Sequence, residues 1–220
     1  MNGASLRACV LAAADALEAS RDELCRLDAV AGDGDHGVTM ALAARAVRQK
    51  LEESPGASGA DLLALVALGV GSVGGAIGPL YATALLRAAT ALRGLGTSEG
   101  DPTVGEIRAC AEAGAAAITG LGHARPGDKT IVDAVAPAVQ ALADAEATGA
   151  GVPEALEAAV AAARAGAEST TGMIATLGRA SRLGERGRGS ADPGAASFVV
   201  ALEAAVRTYL GPVGAEPAGA

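Results

Sequence analysis

Aromatic residues are nearly absent: the chain has one Phe, two Tyr and no Trp in 220 residues. A core cannot be built around large rings that are missing, and no stacking set exists for single-stranded nucleic acid. Half of the chain is hydrophobic, mostly Ala, Leu and Val, so the core must rely on close approach of small side chains. Basic residues are outnumbered too. Lys and Arg total 17 against 25 Asp and Glu, a net charge of −8, and an acidic chain lacks the basic face that displaces counterions from nucleic acid. Cysteine occurs three times, as Cys9, Cys25 and Cys110. An odd number at wide spacing fits neither a disulfide framework nor a zinc site, and buried reduced thiols in a cytoplasmic protein are expected. No uninterrupted apolar run reaches about 18 residues, so no membrane span is expected. Residues 1–7 lack a basic region leading into an apolar block, so no signal peptide is expected.

What the chain does have is Ala-rich segments with helical apolar spacing, divided by glycines. Leu6, Val10, Leu17 and Leu24 form the stripe of a first helix capped by Ser5. A second helix is expected over about 38–53. Ser58 with Asp61, Thr103 with Glu106, and Thr130 with Asp133 read as capping boxes opening the third, fifth and sixth helices. The fourth starts near Pro79, the seventh at Pro153, and the eighth at Asp192 and Pro193. No segment alternates long enough to be a strand. The expectation is an all-α, up-and-down antiparallel arrangement of about eight helices. Residues 1–211 form one domain, followed by a flexible tail at 212–220.

The even-numbered loops are ordinary, but the odd-numbered ones are not. They read DAVAGDGDHGVT from Asp28, GSVGGAIGP from Gly71, GHARPGDKT from Gly122 and GRASRLGERGRGSADPG from Gly178. In an up-and-down bundle all odd loops share one end, so these segments should meet at one site.

The first odd loop crowds Asp28, Asp33 and Asp35 ahead of His36. Like charges so close call for a cation, and all-oxygen ligands suit Mg²⁺, which is held by a few carboxylates with phosphate oxygens and water. A calcium loop is excluded: no third acidic residue follows Asp35 by two positions, and no Glu closes a twelve-residue loop. The alternative is a polar turn whose aspartates merely cap. His36 could bind phosphate, ligate metal or orient an aspartate, whereas His123 reads as a surface residue. Gly74, Gly75 and Gly78 either let amides approach an anion or permit a close helix crossing. Residues 122–130 nearly spell a P-loop, but Asp128 separates Gly127 from Lys129 and no strand precedes, so only a glycine turn feeding a helix start remains. Arg179, Arg182, Arg186 and Arg188 make the seventh loop basic, suited to phosphate oxygens or simply to solvent.

In this order and spacing, AGDGDHG (31–37), GGAIGPLY (74–81), PGDKT (126–130), GRASRLGER (178–186) and DPGA (192–195) resemble the signatures of the dihydroxyacetone kinase L-subunit family across nearly the whole chain. The resemblance implies an antiparallel eight-helix barrel with a nucleotide, ADP or ATP, at one end. Asp28, Asp33 and Asp35 would ligate two Mg²⁺. His36, Gly37, Val38 and Thr39 would border the phosphates, and Ala76 and Ile77 would contact the nucleotide. Gly122 and Ile131 would line the base pocket, completed by Arg179 and the Asp192, Pro193, Gly194 turn. Thr39 stands where the family often has Asn, Ile77 where it often has Ser, and Arg182 where an aromatic is frequent. The implied activity is phosphoryl transfer to a hydroxy-ketone held by a separate K subunit, with a phosphotransferase-system phosphocarrier as a possible phosphate source. Other acceptors, an erythrulose-type ketose or a fatty acid, or a non-catalytic regulatory module, are the alternatives.

Overall fold

The computed structural model describes residues 3–96 and 101–211; the tail expected at 212–220 lies outside them. Among the described residues there are nine α-helices and no strand. They are α1 (Gly3–Ala19), α2 (Arg21–Asp28), α3 (His36–Glu53), α4 (Gly59–Gly71), α5 (Ile77–Gly94), α6 (Val104–Gly122), α7 (Val132–Thr148), α8 (Val152–Ser169) and α9 (Pro193–Leu210). Two 3₁₀ segments, Thr170–Gly172 and Arg179–Gly187, lie between α8 and α9. Each long helix packs on the next, α1 on α3 and so on to α9, which returns to α1. The ring closes, and the expected eight-helix barrel is made by α1 and α3 to α9.

The ninth helix comes from a break in the expected first one. The chain turns at Ser20, and Asp22 and Glu23 then fall in the first turn of α2, where carboxylates favour a new helix start. The break lets α2 lie on both α3 and α9. Leu24, 1% exposed, then joins Leu17 and Met40 in a small cluster under the first loop. Helix α1 begins at Gly3, so Ser5, the expected cap, falls within its bounds.

The three expected capping boxes have different outcomes. Glu106 reaches back to the Thr103 amide at 2.7 Å while Thr103 Oγ1 accepts from the Glu106 amide at 3.2 Å, closing a full box. Asp61 is one methylene shorter; Ser58 caps α4 without a side-chain bond, and Asp61 pairs instead with Arg93 on α5 at 2.8 Å. At the third, Ile131 is the cap; Asp133 Oδ2 accepts from the Thr130 amide at 2.8 Å, and Thr130 Oγ1 accepts from Val132 at 3.2 Å. Asp192 caps α9 as expected, accepting from the Ala195 amide at 2.7 Å, with Pro193 in the first turn.

Small residues do bring neighbouring helices close. Ala134, Ala138, Ala155, Ala159 and Ala163 are all buried between α7 and α8. Alanine contacts cannot also fill the middle of a ring of eight helices. The barrel surrounds an apolar cavity of about 970 Å³ that reaches Ser58, Arg93 and Glu106 at the even-loop end. Scarcity of aromatic side chains thus yields a hollow barrel where close packing throughout was expected.

Candidate functional site

The opposite end carries the unusual loops. Asp28 is the last residue of α2 and is 9% exposed. Its Oδ2 accepts from the amides of Asp35 at 3.0 Å and His36 at 3.3 Å, so it caps α3 from across the loop. Gly34, with φ +76°, bends the chain between Asp33 and Asp35. The three carboxylates converge, each offering an oxygen within 4.8 Å of the others. The sequence-based expectation that they share one place therefore holds geometrically.

Their electrostatics show the strain of that convergence. The Arg179 guanidinium, paired with Asp33 across the loops, holds the Asp33 carboxyl below its ordinary range. Partial burial, then Asp33 and Asp28 as like charges, push Asp35 up. One guanidinium thus faces three acids. Asp28 spends Oδ2 on the backbone, and the exposed Asp33 and Asp35 turn oxygens toward the same point. Such a donor set fits a hard divalent cation with room for water and phosphate oxygens.

The His36 side chain points inward. Its ring is buried, with Nε2 3.0 Å from Ser197 Oγ on α9. Ser197 Oγ also lies 3.0 Å from the Gly194 carbonyl, and when its proton goes there the neutral imidazole donates from Nε2. Burial lowers its pKa, which favours this neutral form. The ring thereby joins α3 to the turn that opens α9. Gly37 and Val38 follow in the first turn of α3, where the helix itself leaves amides without an intrahelical partner. Thr39 is already inside the ladder, donating to the Asp35 carbonyl at 2.9 Å.

A polar-mouthed cavity of about 330 Å³ adjoins the acids. It brings together Asp28, Gly122, Ile131, Arg179, Asp192 and Pro193 of the expected residues. Gly194 sits against Ile131, since a Cβ there would lie 3.6 Å from Ile131 Cβ. Behind the third loop, α5 contributes Leu80 to this lining; Ala76 is exposed and Ile77 packs toward Leu24 and Met40. Gly78 has a packing reason, because a Cβ would meet the Val73 carbonyl at 2.3 Å. His123 is exposed as expected and ends α6 with φ 53°.

Two contributors escaped the sequence reading. Ser197 carried no signal, since one serine in an apolar helix looks like any other. Lys129 had one, a lysine after Gly-Asp at a helix start, but was set aside with the failed P-loop pattern. It is 6% exposed and lines the same cavity.

Asp192 offers a pH test. Burial, then Asp133 nearby, push its carboxyl up to about 6, against the Ala195 amide and Lys129, which pull it down. With the folded value above the unfolded one, its contribution favours the native state below about pH 4 and is lost as pH rises through about 6. Asp192→Asn keeps the cap and removes the titration. In urea unfolding, variant and wild type should be about equally stable near pH 4, and the variant more stable by about 2 kcal/mol above pH 6. A pH-independent difference would refute this assignment.

The comparisons with known proteins agree with this geometry. The family model for the DAK2 domain matches residues 30–207. The ADP-binding subunit DhaL of PEP-dependent dihydroxyacetone kinase 2 from Listeria innocua is 40% identical over 185 residues, covering 82% of this chain and 83% of that protein. L-erythrulose 1-kinase of Mycolicibacterium smegmatis is 42% identical over 186 residues, 83% of this chain but 31% of that protein. The crystal structure of the dihydroxyacetone kinase from C. freundii in complex with AMP-PNP and Mg²⁺ superposes with a TM-score of 0.70 at 29% identity. That match covers 93% of this chain and 34% of the solved one. This chain thus spans about a third of those two longer proteins and most of the Listeria subunit. With the family model running over α3 to α8 and most of α9, the chain belongs to the DAK2 domain family.

Proposed function

We propose that this chain is the nucleotide-binding subunit of a dihydroxyacetone (glycerone) kinase, a cytoplasmic phosphotransferase that acts only with a separate substrate-binding K subunit. The observation that carries the reading is the convergence of Asp28, Asp33 and Asp35 at the mouth of a cavity walled by Ile131 and Arg179. The three aspartates would hold two Mg²⁺, and a bound nucleotide would put its phosphates between them and the start of α3. When bound, the cations supply charge neutralisation for the polyphosphate.

The protein's own groups do the rest by positioning. Asp28 fixes the start of α3 through its two amide bonds. The first-turn amides of Gly37 and Val38 would bind phosphate oxygens, and Thr39 would border them. Arg179, paired with Asp33 in this structure, is the cation within reach of a terminal phosphate, where its planar fork can bond two oxygens. Gly122, Leu80 and Ile131 offer an apolar slot for the base, closed by Asp192, Pro193 and Gly194. Ala76 and Ile77 would meet the nucleotide from the third loop. The acceptor hydroxyl, the nucleophile of the transfer, would arrive on the separate K subunit.

The similarity to a PEP-dependent, ADP-binding subunit favours ADP as a resident cofactor, rephosphorylated in place by a phosphotransferase-system carrier. If ADP co-purifies and resists dialysis, that mode holds; rapid loss would mean ATP exchange at each turnover. The similarity to an L-erythrulose 1-kinase supports a second acceptor, a four-carbon ketose. The deciding assay supplies the purified chain with a K-type partner, a phosphate donor, and dihydroxyacetone or erythrulose in parallel. Phosphorylated ketone is expected from one of them. Failure to bind any magnesium nucleotide would leave a non-catalytic module as the surviving reading.

A further inference from the structure

Lys129 stands out as a buried ammonium that no step of the proposed chemistry uses. Its three protons have three acceptors, the carbonyls of Met173 at 3.2 Å, Gly187 at 2.7 Å and Ser190 at 2.8 Å. Those carbonyls lie on either side of residues 174–186, so one cation gathers both ends of the seventh loop. The preceding residue repeats the attachment. Thr176 donates its amide to the Asp128 carbonyl at 3.3 Å and its hydroxyl to Asp128 Oδ1 at 2.5 Å. Lys129 also holds φ 59°, a backbone region unfavourable for residues with a Cβ. The fold maintains that strained turn where it directs the side chain inward. Arg179 lies within the gathered segment and reaches Asp33.

From this geometry we infer that Asp128 and Lys129 form a clasp that holds the seventh loop, and with it Arg179, over the acidic triad, Lys129 acting as a positioning residue for the nucleotide. This explains why the segment resembles a phosphate loop and is not one. Its lysine is committed to three backbone carbonyls, and the intervening aspartate that spoils the pattern is the other half of the clasp. Pinning both ends lowers the number of conformations open to the loop before ligand arrives. The clasp rests on the function proposed above only for what it positions; its mechanical part stands alone.

The test uses Lys129→Met, with Thr176→Val as a milder second variant, and helix content by circular dichroism as the folding control. Trypsin should cut after Arg179, Arg182 and Arg186 about ten-fold faster in Lys129→Met. Mg-ADP affinity should fall about 30-fold, the size expected when three buried carbonyls lose their donor. Mn²⁺ binding to the triad without nucleotide, followed by electron paramagnetic resonance, should change by less than about three-fold, since no metal ligand is touched. In an Arg179→Ala background the same substitution should weaken Mg-ADP by less than about three-fold, because the two residues act as a unit. An unchanged digestion rate, or an undiminished effect in the Arg179→Ala background, would overturn the clasp. If Lys129→Met does not fold, Thr176→Val takes its place in the same cycle, with about a five-fold effect expected from one lost bond pair. If the wild-type chain binds no magnesium nucleotide, the functional reading fails, and the digestion rates still decide the clasp.

Discussion

Asp33→Ala should abolish magnesium-dependent nucleotide binding while leaving the barrel folded. Asp33 is exposed and pairs with Arg179, another exposed side chain. Nothing in the core depends on it, so the melting temperature should move by no more than about 2 °C. Affinity is another matter. Outer groups that merely orient a metal's ligands are worth about 10–100-fold, so loss of a direct ligand should exceed about 100-fold. Asp28→Ala should lose binding too, but with a different signature. Its Oδ2 receives two amides at the start of α3, and leaving them without an acceptor should cost about 1–3 kcal/mol of stability. Isothermal titration with Mg-ADP, beside thermal melts of both variants, reads the two effects separately. Tight binding by Asp33→Ala would remove the triad from the mechanism.

Gly37→Ala should be the most damaging methyl group in the chain. A Cβ at Gly37 would lie 1.9 Å from the Arg21 carbonyl oxygen, 2.8 Å from its carbon and 2.9 Å from the Cys25 amide. All three are backbone atoms of α2, so no rotamer change can relieve the clash, and α2 has to move off α3. A loss of about 3 kcal/mol is expected, the upper range for overpacking. Metal affinity should fall with it, because moving α2 carries Asp28 away from Asp33 and Asp35. Gly120→Ala is the control: an exposed glycine near the end of α6 with open space about it should gain about 0.5 kcal/mol from helix propensity. Equal melting temperatures for the two variants would show that α2 and α3 are not in the contact described.

How much of this was legible beforehand depended on the reach of each interaction. Helical spacing named every long helix, and the Thr103–Glu106 box and the Asp192 cap formed as read, because a cap is decided within four residues. The Ser58–Asp61 box failed since Arg93, distant in sequence, competes for the same carboxylate. The break at Ser20 was missed because one apolar stripe continues through it, from Leu17 to Leu24. The odd-loop rule correctly anticipated the meeting of loops one, five and seven. Behind the third loop, α5 adds Leu80 to the cavity those loops line.

The sequence by itself determined an all-helical chain, its alternation of plain and chemically loaded loops, and the acidic triad, since all of these are local patterns or simple parity of chain direction. Tertiary structure alone decided that the barrel is hollow, that His36 turns inward to Ser197, 161 positions away, and that Lys129 holds carbonyls 44 to 61 residues downstream. Those outcomes depend on how closed rings of helices pack and on which distant backbone groups need a partner. Periodicity carries neither kind of information: it reports which face of a helix is buried, not what meets it there.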